Sequence, residues 1–226
     1  MRETITIPER FNGPPGSANG GYACGLVAAL VDGDAEVTLR SPPPLATPIT
    51  VERAGARVTV RDGETLVAEA EPVALELDVP SPVSLAAAEA ARPRYAGFRH
   101  HAYATCFVCG PERGDGLGIF AGPVEGRELV AAPWAPPTGH VADEIVWAAL
   151  DCPSGWAVDE FSREGVLLGR LAARLVGAVV GGEPHVVVGW PIGEEGRKRY
   201  AGSAIFTAAG ELRAYARSTW LVPRSA

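Results

Sequence analysis

Asp151 is the carboxylate in this chain placed most suggestively for chemistry. It lies in Leu150-Asp151-Cys152-Pro153-Ser154-Gly155-Trp156-Ala157, an apolar stretch in which a charge needs a reason. A carboxylate there can act as a general base for water, or attack a carbonyl itself and form a transient anhydride. The complementary half of such a reaction is a set of hydrogen-bond donors for the carbonyl oxygen as it gains charge. Asn19-Gly20-Gly21 offers one, because it opens the apolar segment Gly20 to Val31. Unpaired N–H groups at a helix start, aided by the helix dipole, hold such an oxygen, and glycine lets an acyl group approach the backbone closely. A donor of this kind is worth about 3 kcal/mol of barrier. Gly20 or Gly21 would supply the N–H, and Asn19 a side-chain donor or a positioning contact. The plainer readings are a helix-end carboxylate at Asp151 and an ordinary helix cap at Asn19.

The remaining polar candidates are subsidiary. Glu144 lies seven residues before Asp151, two helical turns away on a similar face, where it forms a carboxylate pair or a first-turn acid. His140 precedes the same segment as a base, a substrate contact or a solvated loop residue. Gly196-Arg197-Lys198-Arg199 is the one dense cationic cluster, suited to the phosphates of a ligand through Arg197 and Arg199 or to a solvated turn beside Glu194 and Glu195. Trp147 and Trp156 flank Asp151 as walls of an apolar pocket or as core. His100-His101 with Cys106-x2-Cys109 has zinc-compatible residue types. A single CxxC is a weak signal, however, and adjacent histidines rarely both face one ion, so no metal and no cofactor are expected. Neither a Gly-x-Ser-x-Gly elbow nor a Gly-x-Gly-x-x-Gly or Walker-type loop occurs.

The elements that must carry these residues form two similar series. Thr4 to Ile7 alternates as a strand, a Gly/Pro/Ser loop follows from Phe11 to Ala18, and Gly20 to Val31 predicts a buried helix of about three turns. Asp32-Gly33-Asp34 ends it. Strands are expected over Ala35 to Arg40, Pro48 to Arg53, and a hairpin of Arg57 to Arg61 and Thr65 to Val73 around Asp62-Gly63. Asp78 to Thr105 shifts to Pro, Ser, Ala and Arg and reads as a connector, with a short helix over Leu85 to Ala91. Short strands are expected at Gly118 to Phe120 and Arg127 to Ala132. A second helix is expected over Val141 to Phe161, kinked or interrupted at Pro153. Val166 to Val180 is strand or helix by periodicity alone, and strand is expected because it follows its helix as Ala35 to Arg40 follows the first. Strands over Pro184 to Pro191, Gly202 to Thr207 and Leu212 to Val222 close the chain. ARVTVRDGETLVAEA and SAIFTAAGELRAYA are the best internal match, each with Gly-Glu at its turn.

Bulk properties narrow the classes further. With 226 residues, 47% hydrophobic and 21% charged, the chain suits one large domain or two small units sharing a core. A net charge of −7 argues against a non-specific nucleic-acid binder. No apolar run reaches the roughly 20 residues that span a bilayer, and the N-terminus lacks a signal-peptide pattern. Four cysteines are too few for a disulfide scaffold. A cytoplasmic location, without membrane or nucleic-acid partners, is the expectation.

Two strand–helix–meander series in this order resemble a double hotdog protein, specifically the acyl-CoA thioesterase branch of the phenylacetate-pathway type. In single-domain relatives the helix begins His-Gly-Gly and an acid follows nine residues after the histidine. Leu150-Asp151 through Ala157 resembles the acid-bearing part, yet nine residues before Asp151 stands Ala142, followed by Asp143 and Glu144. Asn19-Gly20-Gly21 resembles the helix start with asparagine for histidine, yet nine residues on stands Ala28. Cys106-Phe-Val-Cys-Gly110 with Asp115-Gly116-Leu117 resembles the entry to hotdog domains of this branch.

The resemblance implies an α+β double hotdog: two antiparallel sheets, each wrapped around a central helix, as a pseudo-dimer in one chain. The halves would be residues 1–78 and 105–226, with 79–104 as connector. It implies hydrolysis of an acyl-CoA or related thioester at one asymmetric site between the halves, the twin site being lost, and a homodimer as a possible assembly. The competing expectation is a non-catalytic acyl- or CoA-binding or assembly module of the same fold. A hydratase of this fold would carry Asp-x4-His, which is absent.

Overall fold

The computed structural model describes residues 3–158 and 165–223. Eleven strands form one antiparallel sheet, and three α-helices pack on it. In chain order they are β1 (Thr4–Ile5), α1 (Gly20–Ala28), β2 (Ala35–Leu39), β3 (Ile49–Ala54), β4 (Arg57–Asp62), β5 (Thr65–Pro72) and α2 (Leu85–Ala91). There follow β6 (Gly122–Pro123), β7 (Val130–Trp134), α3 (Asp143–Val158), β8 (Leu167–Leu175), β9 (His185–Glu195), β10 (Lys198–Thr207) and β11 (Leu212–Leu221).

The sheet order is β1-β3-β4-β5-β2-β8-β11-β10-β9-β7-β6. The expected pair of separate sheets is therefore corrected to one. β2 and β8 are antiparallel neighbours, with Val37 opposite Leu171, and this ladder makes the two strand series continuous. Pairing satisfies the N–H and C=O groups that both strands would otherwise expose as edges.

Most elements form where their patterns placed them. α2 has the expected bounds, with the Ser84 side chain accepting from Ala87 N–H. The β4–β5 turn uses Gly63 at φ 55°, a left-handed conformation that glycine adopts without strain. Gly118 to Phe120, expected as a strand, is irregular, and the short pairing lies further on, at Gly122–Pro123 with Val130–Ala131. α1 stops at Ala28, because Leu30 and Val31 N–H bond three residues back and tighten the end before Gly33.

α3 runs through Pro153 to Val158 without the expected interruption. Tertiary anchoring supplies the reason. Ser154 Oγ donates to Asp151 O at 2.7 Å and accepts from Ser218 Oγ at 2.8 Å and from Trp220 Nε1 at 2.9 Å, which fastens this turn to β11. The end of the expected helix, residues 159–161, lies outside the described residues.

α1 and α3 lie side by side in the main core, running in opposite directions. Gly21 meets Ala148 and Asp151, and Gly25 meets Glu144. A Cβ on Gly25 would stand 2.6 Å from Glu144 Cα, so glycine is what allows this approach. A second apolar cluster joins Leu75, which follows β5, and Val83 and Ala88 of the connector to Val186, Val188 and Phe206 of the sheet. The connector is thus packed on the sheet, and Tyr215 Oη donates to Leu75 O at 3.0 Å.

Candidate active site between the two central helices

Asn19 caps α1: its Oδ1 accepts from Tyr22 N–H at 2.9 Å, and its backbone carbonyl accepts from Ala23 N–H at 3.0 Å. The opposite end of the same side chain reaches across the helix interface, where Asn19 Nδ2 donates to Asp151 Oδ2 at 2.8 Å. Gly21 N–H donates to the same oxygen at 2.9 Å. Asn19, Gly21 and Asp151, separated by about 130 positions in the chain, therefore form one hydrogen-bonded cluster. Gly21 is required sterically, since a Cβ there would lie 2.4 Å from Asp151 Cβ and 2.7 Å from Trp147 O.

Asp151 is 2% exposed. Burial pushes its carboxyl up to about 7, against the lowering effect of the Gly21 N–H and the Asn19 amide. Both donors use Oδ2, and Oδ1 has no hydrogen-bond partner among the described residues. On the α1 side, Gly21, Tyr22 and Ala23 N–H are all engaged, leaving Gly20 N–H as the first-turn amide without an acceptor among the described residues. Of the two glycines that could hold a carbonyl oxygen, Gly20 has the uncommitted N–H. Gly21 uses its own to orient the acid.

Gly20, Asn19 and Asp151 line a cavity of about 320 Å³. Leu39, Leu168 and Leu221 give it apolar walls, and Pro14, Pro15, Pro42 and Pro43 also line it. A mostly apolar pocket with a few convergent polar groups suits an acyl chain with a reacting head.

The structure separates the remaining candidates from this cavity. Trp147 is buried against α1, its Cβ facing Gly25 and its carbonyl Gly21, so it serves the helix contact. Trp156 packs edge-on to Tyr95 at 4.6 Å and to His101 at 5.2 Å. Glu144 abuts α1 near Tyr22, whose hydroxyl is pushed up to about 12 by burial and then by this carboxylate. His140 is exposed, in an isolated bridge with Val180. Arg197 and Arg199 sit at the β9–β10 turn, outside the cavity lining. Arg197 donates to Val222 O at 2.9 Å, and Arg199 pairs with Glu194 at 3.1 Å.

Sequence reasoning missed the third thiol. Cys106, Cys109 and Cys152 are buried, and their sulfurs all lie within 4.8 Å of one another. Cys152 comes from α3, 46 positions from Cys106, and nothing in its spacing links it to the CxxC. All three line the same cavity as Asp151. Of the two histidines considered with them, His100 is exposed and His101 faces Cys109.

Neither a protein-family model nor a curated protein matches this chain. Solved structures do. An acyl-CoA thioesterase II from Mycobacterium marinum is 14% identical, with 99% of this chain and 93% of that one covered at a TM-score of 0.57. A protein of unknown function with hot dog fold from Alicyclobacillus acidocaldarius is 12% identical over 100% and 93% of the two chains, at 0.58. The fold is a hotdog. A tesB protein from Mycobacterium avium subspecies paratuberculosis, 15% identical over 97% and 91%, superimposes at 0.60. These likenesses span the whole hotdog architecture. No helix among the described residues is long and apolar enough to cross a membrane.

Proposed function

We propose that this protein is a hydrolase of acyl-CoA or related thioesters, acting at one site between two hotdog halves. The observation that carries the reading is the convergence of Asp151 on the first turn of α1 at the wall of a mostly apolar cavity. The thioester carbonyl oxygen would accept from Gly20 N–H, where the helix start favours developing negative charge. Asp151, oriented through Oδ2 by Asn19 and Gly21, would use Oδ1 to take a proton from water, whose oxygen adds to the carbonyl carbon. Collapse of the adduct expels the CoA thiolate, which takes up a proton, and leaves the free acid. Attack by Asp151 itself, through an anhydride that water then opens, uses the same groups.

The halves would be residues 1–78 and 105–226 joined by 79–104, a pseudo-dimer fused in one chain. The structural neighbours named as thioesterases support the substrate class by analogy of fold. Arg197 and Arg199 remain candidates for coenzyme phosphates beyond the cavity mouth, since Arg197 contacts Val222 next to the lining residue Leu221. A panel of short-, medium- and aryl-acyl-CoA thioesters, followed by release of free CoA, tests the reading. Turnover that is lost in Asp151→Asn protein is expected. Saturable binding of acyl-CoA with no turnover of any member would instead make the chain a non-catalytic acyl-binding module.

A further inference from the structure

The three-thiol cluster is unused by the hydrolytic reading and has features of its own. Cys106 and Cys152 sulfurs stand 3.8 Å apart. Four ligands placed tetrahedrally around zinc, with Zn–S near 2.3 Å, have sulfur–sulfur edges of about 3.8 Å. Cys109 completes a triangle whose members all lie within 4.8 Å. The Cys106-x2-Cys109-Gly110 loop is a tight turn closed by Gly110 N–H on Cys106 O at 2.9 Å. A Cβ on Gly110 would be 2.5 Å from Ala104 O and from Cys106 N, so the turn requires glycine.

The surroundings are arranged for sulfur that carries negative charge. Tyr103 N–H donates to His101 Nδ1 at 2.9 Å, which leaves the proton of a neutral ring on Nε2. That Nε2 lies 3.3 Å from Cys109 Sγ and 3.2 Å from Cys109 O, so His101 is a donor toward Cys109 rather than a ligand. Asn19 Nδ2 is 3.8 Å from Cys152 Sγ and 3.9 Å from Cys106 Sγ. Donors to metal-bound sulfur of this kind commonly orient thiolate ligands. Three buried thiolates without a cation would repel one another in a medium that solvates none of them.

We propose that Cys106, Cys109 and Cys152 together bind one zinc ion, with the fourth coordination position open to the cavity. On binding, the thiols give up their protons to solvent and three S⁻ ligands meet one Zn²⁺, for a net charge of −1. Three protein ligands and one open position distinguish such a centre from a closed structural knuckle. The metal would also join the CxxC loop to α3 next to Asp151. This proposal stands on the cysteine geometry alone and holds whether or not the chain hydrolyses thioesters.

The test uses the full chain, purified without a histidine tag or chelator, and elemental analysis. One zinc per chain is expected, as is exchange with Co²⁺ to give the intense visible bands of tetrahedral cobalt and the near-ultraviolet band of cobalt–thiolate charge transfer. Cys106→Ser, Cys109→Ser and Cys152→Ser should each lose zinc, whereas Cys24→Ser, at a buried cysteine outside the cluster, should keep it. Zinc far below stoichiometry after incubation with the metal overturns the proposal. So does full zinc retention in Cys152→Ser protein, or a disulfide among the three cysteines in the protein as isolated. If the serine variants do not fold, the cobalt spectrum of the unaltered chain decides: octahedral, thiolate-free bands overturn it.

Discussion

The two central helices, α1 and α3, occupy comparable places under one sheet and have divided their chemistry. α1 begins with a capping asparagine and two glycines, and its position nine residues past the cap is Ala28. α3 begins after Ala142, which has no side-chain acceptor for the first-turn amides, and its position nine residues on is Asp151. One diagonal of this arrangement has an acid facing helix-start donors, and the other has alanine at both places. Ala28 and Ala142 carry no polar side-chain group, so this diagonal buries no side-chain donor or acceptor that needs a partner. A lone acid or a lone cap would have carried a burial cost.

That contrast can be broken by experiment, most forcefully at the acid. Asp151→Asn keeps the side-chain shape and removes the base, so hydrolysis should fall by about 10²–10⁴-fold in kcat. Undiminished turnover would detach the chemistry from this diagonal. Placing an acid on the silent diagonal asks the converse question. Ala28→Asp puts a carboxylate in the core opposite a helix start with no amide side chain, and should cost about 3 kcal/mol without adding activity. A denaturant midpoint equal to that of the unaltered protein would show that the diagonals differ less than proposed.

The interface glycines sharpen the comparison at a smaller scale. Gly21→Ala and Gly25→Ala both push α1 away from α3 and should each destabilise by about 1–3 kcal/mol. Only Gly21→Ala should also depress turnover per folded molecule, because only Gly21 contacts the acid. Equal loss of activity in both would mean that helix spacing, rather than the contact with Asp151, limits hydrolysis. The smallest effect is expected for Asn19→Ser. Serine retains the cap on Tyr22 N–H, so stability should stay within about 0.5 kcal/mol, but the donor to Asp151 is lost. Turnover should fall about tenfold, in line with a hydrogen bond to a charged group. A stability loss with unchanged turnover would make Asn19 a cap alone.

Local pattern made much of this legible. The alternation of Thr65 to Val73 about Asp62-Gly63 is a hairpin in any context, and the Ser84 cap bounds α2 without help from distant residues. Asn19-Gly20-Gly21 and Asp151 were recognisable as candidates because each is an odd residue type in an apolar run. The single sheet was not legible, since the β2–β8 ladder joins residues about 130 apart, and pairing partners leave no mark on strand periodicity. The passage of α3 through Pro153 escaped for a similar reason: Ser218 and Trp220, which anchor Ser154, lie over 60 residues downstream. A separation of 46 positions from Cys106 likewise concealed Cys152 as a companion of the CxxC.

By itself, then, the sequence determined most of the helices and strands and the hairpin turns, and that the chain carries an acid and a glycine-opened helix start far apart in sequence. Those properties follow from side-chain period and backbone preference over a few residues. The tertiary structure alone decided that Gly21 bonds the acid while Gly20 N–H has no acceptor among the described residues, that both tryptophans flanking Asp151 lie outside the cavity lining, and that three thiols meet. Each depends on which atoms of α1, α3 and the Cys106–Gly110 loop come within hydrogen-bond reach, a matter of packing at the scale of an ångström that no one-dimensional spacing encodes.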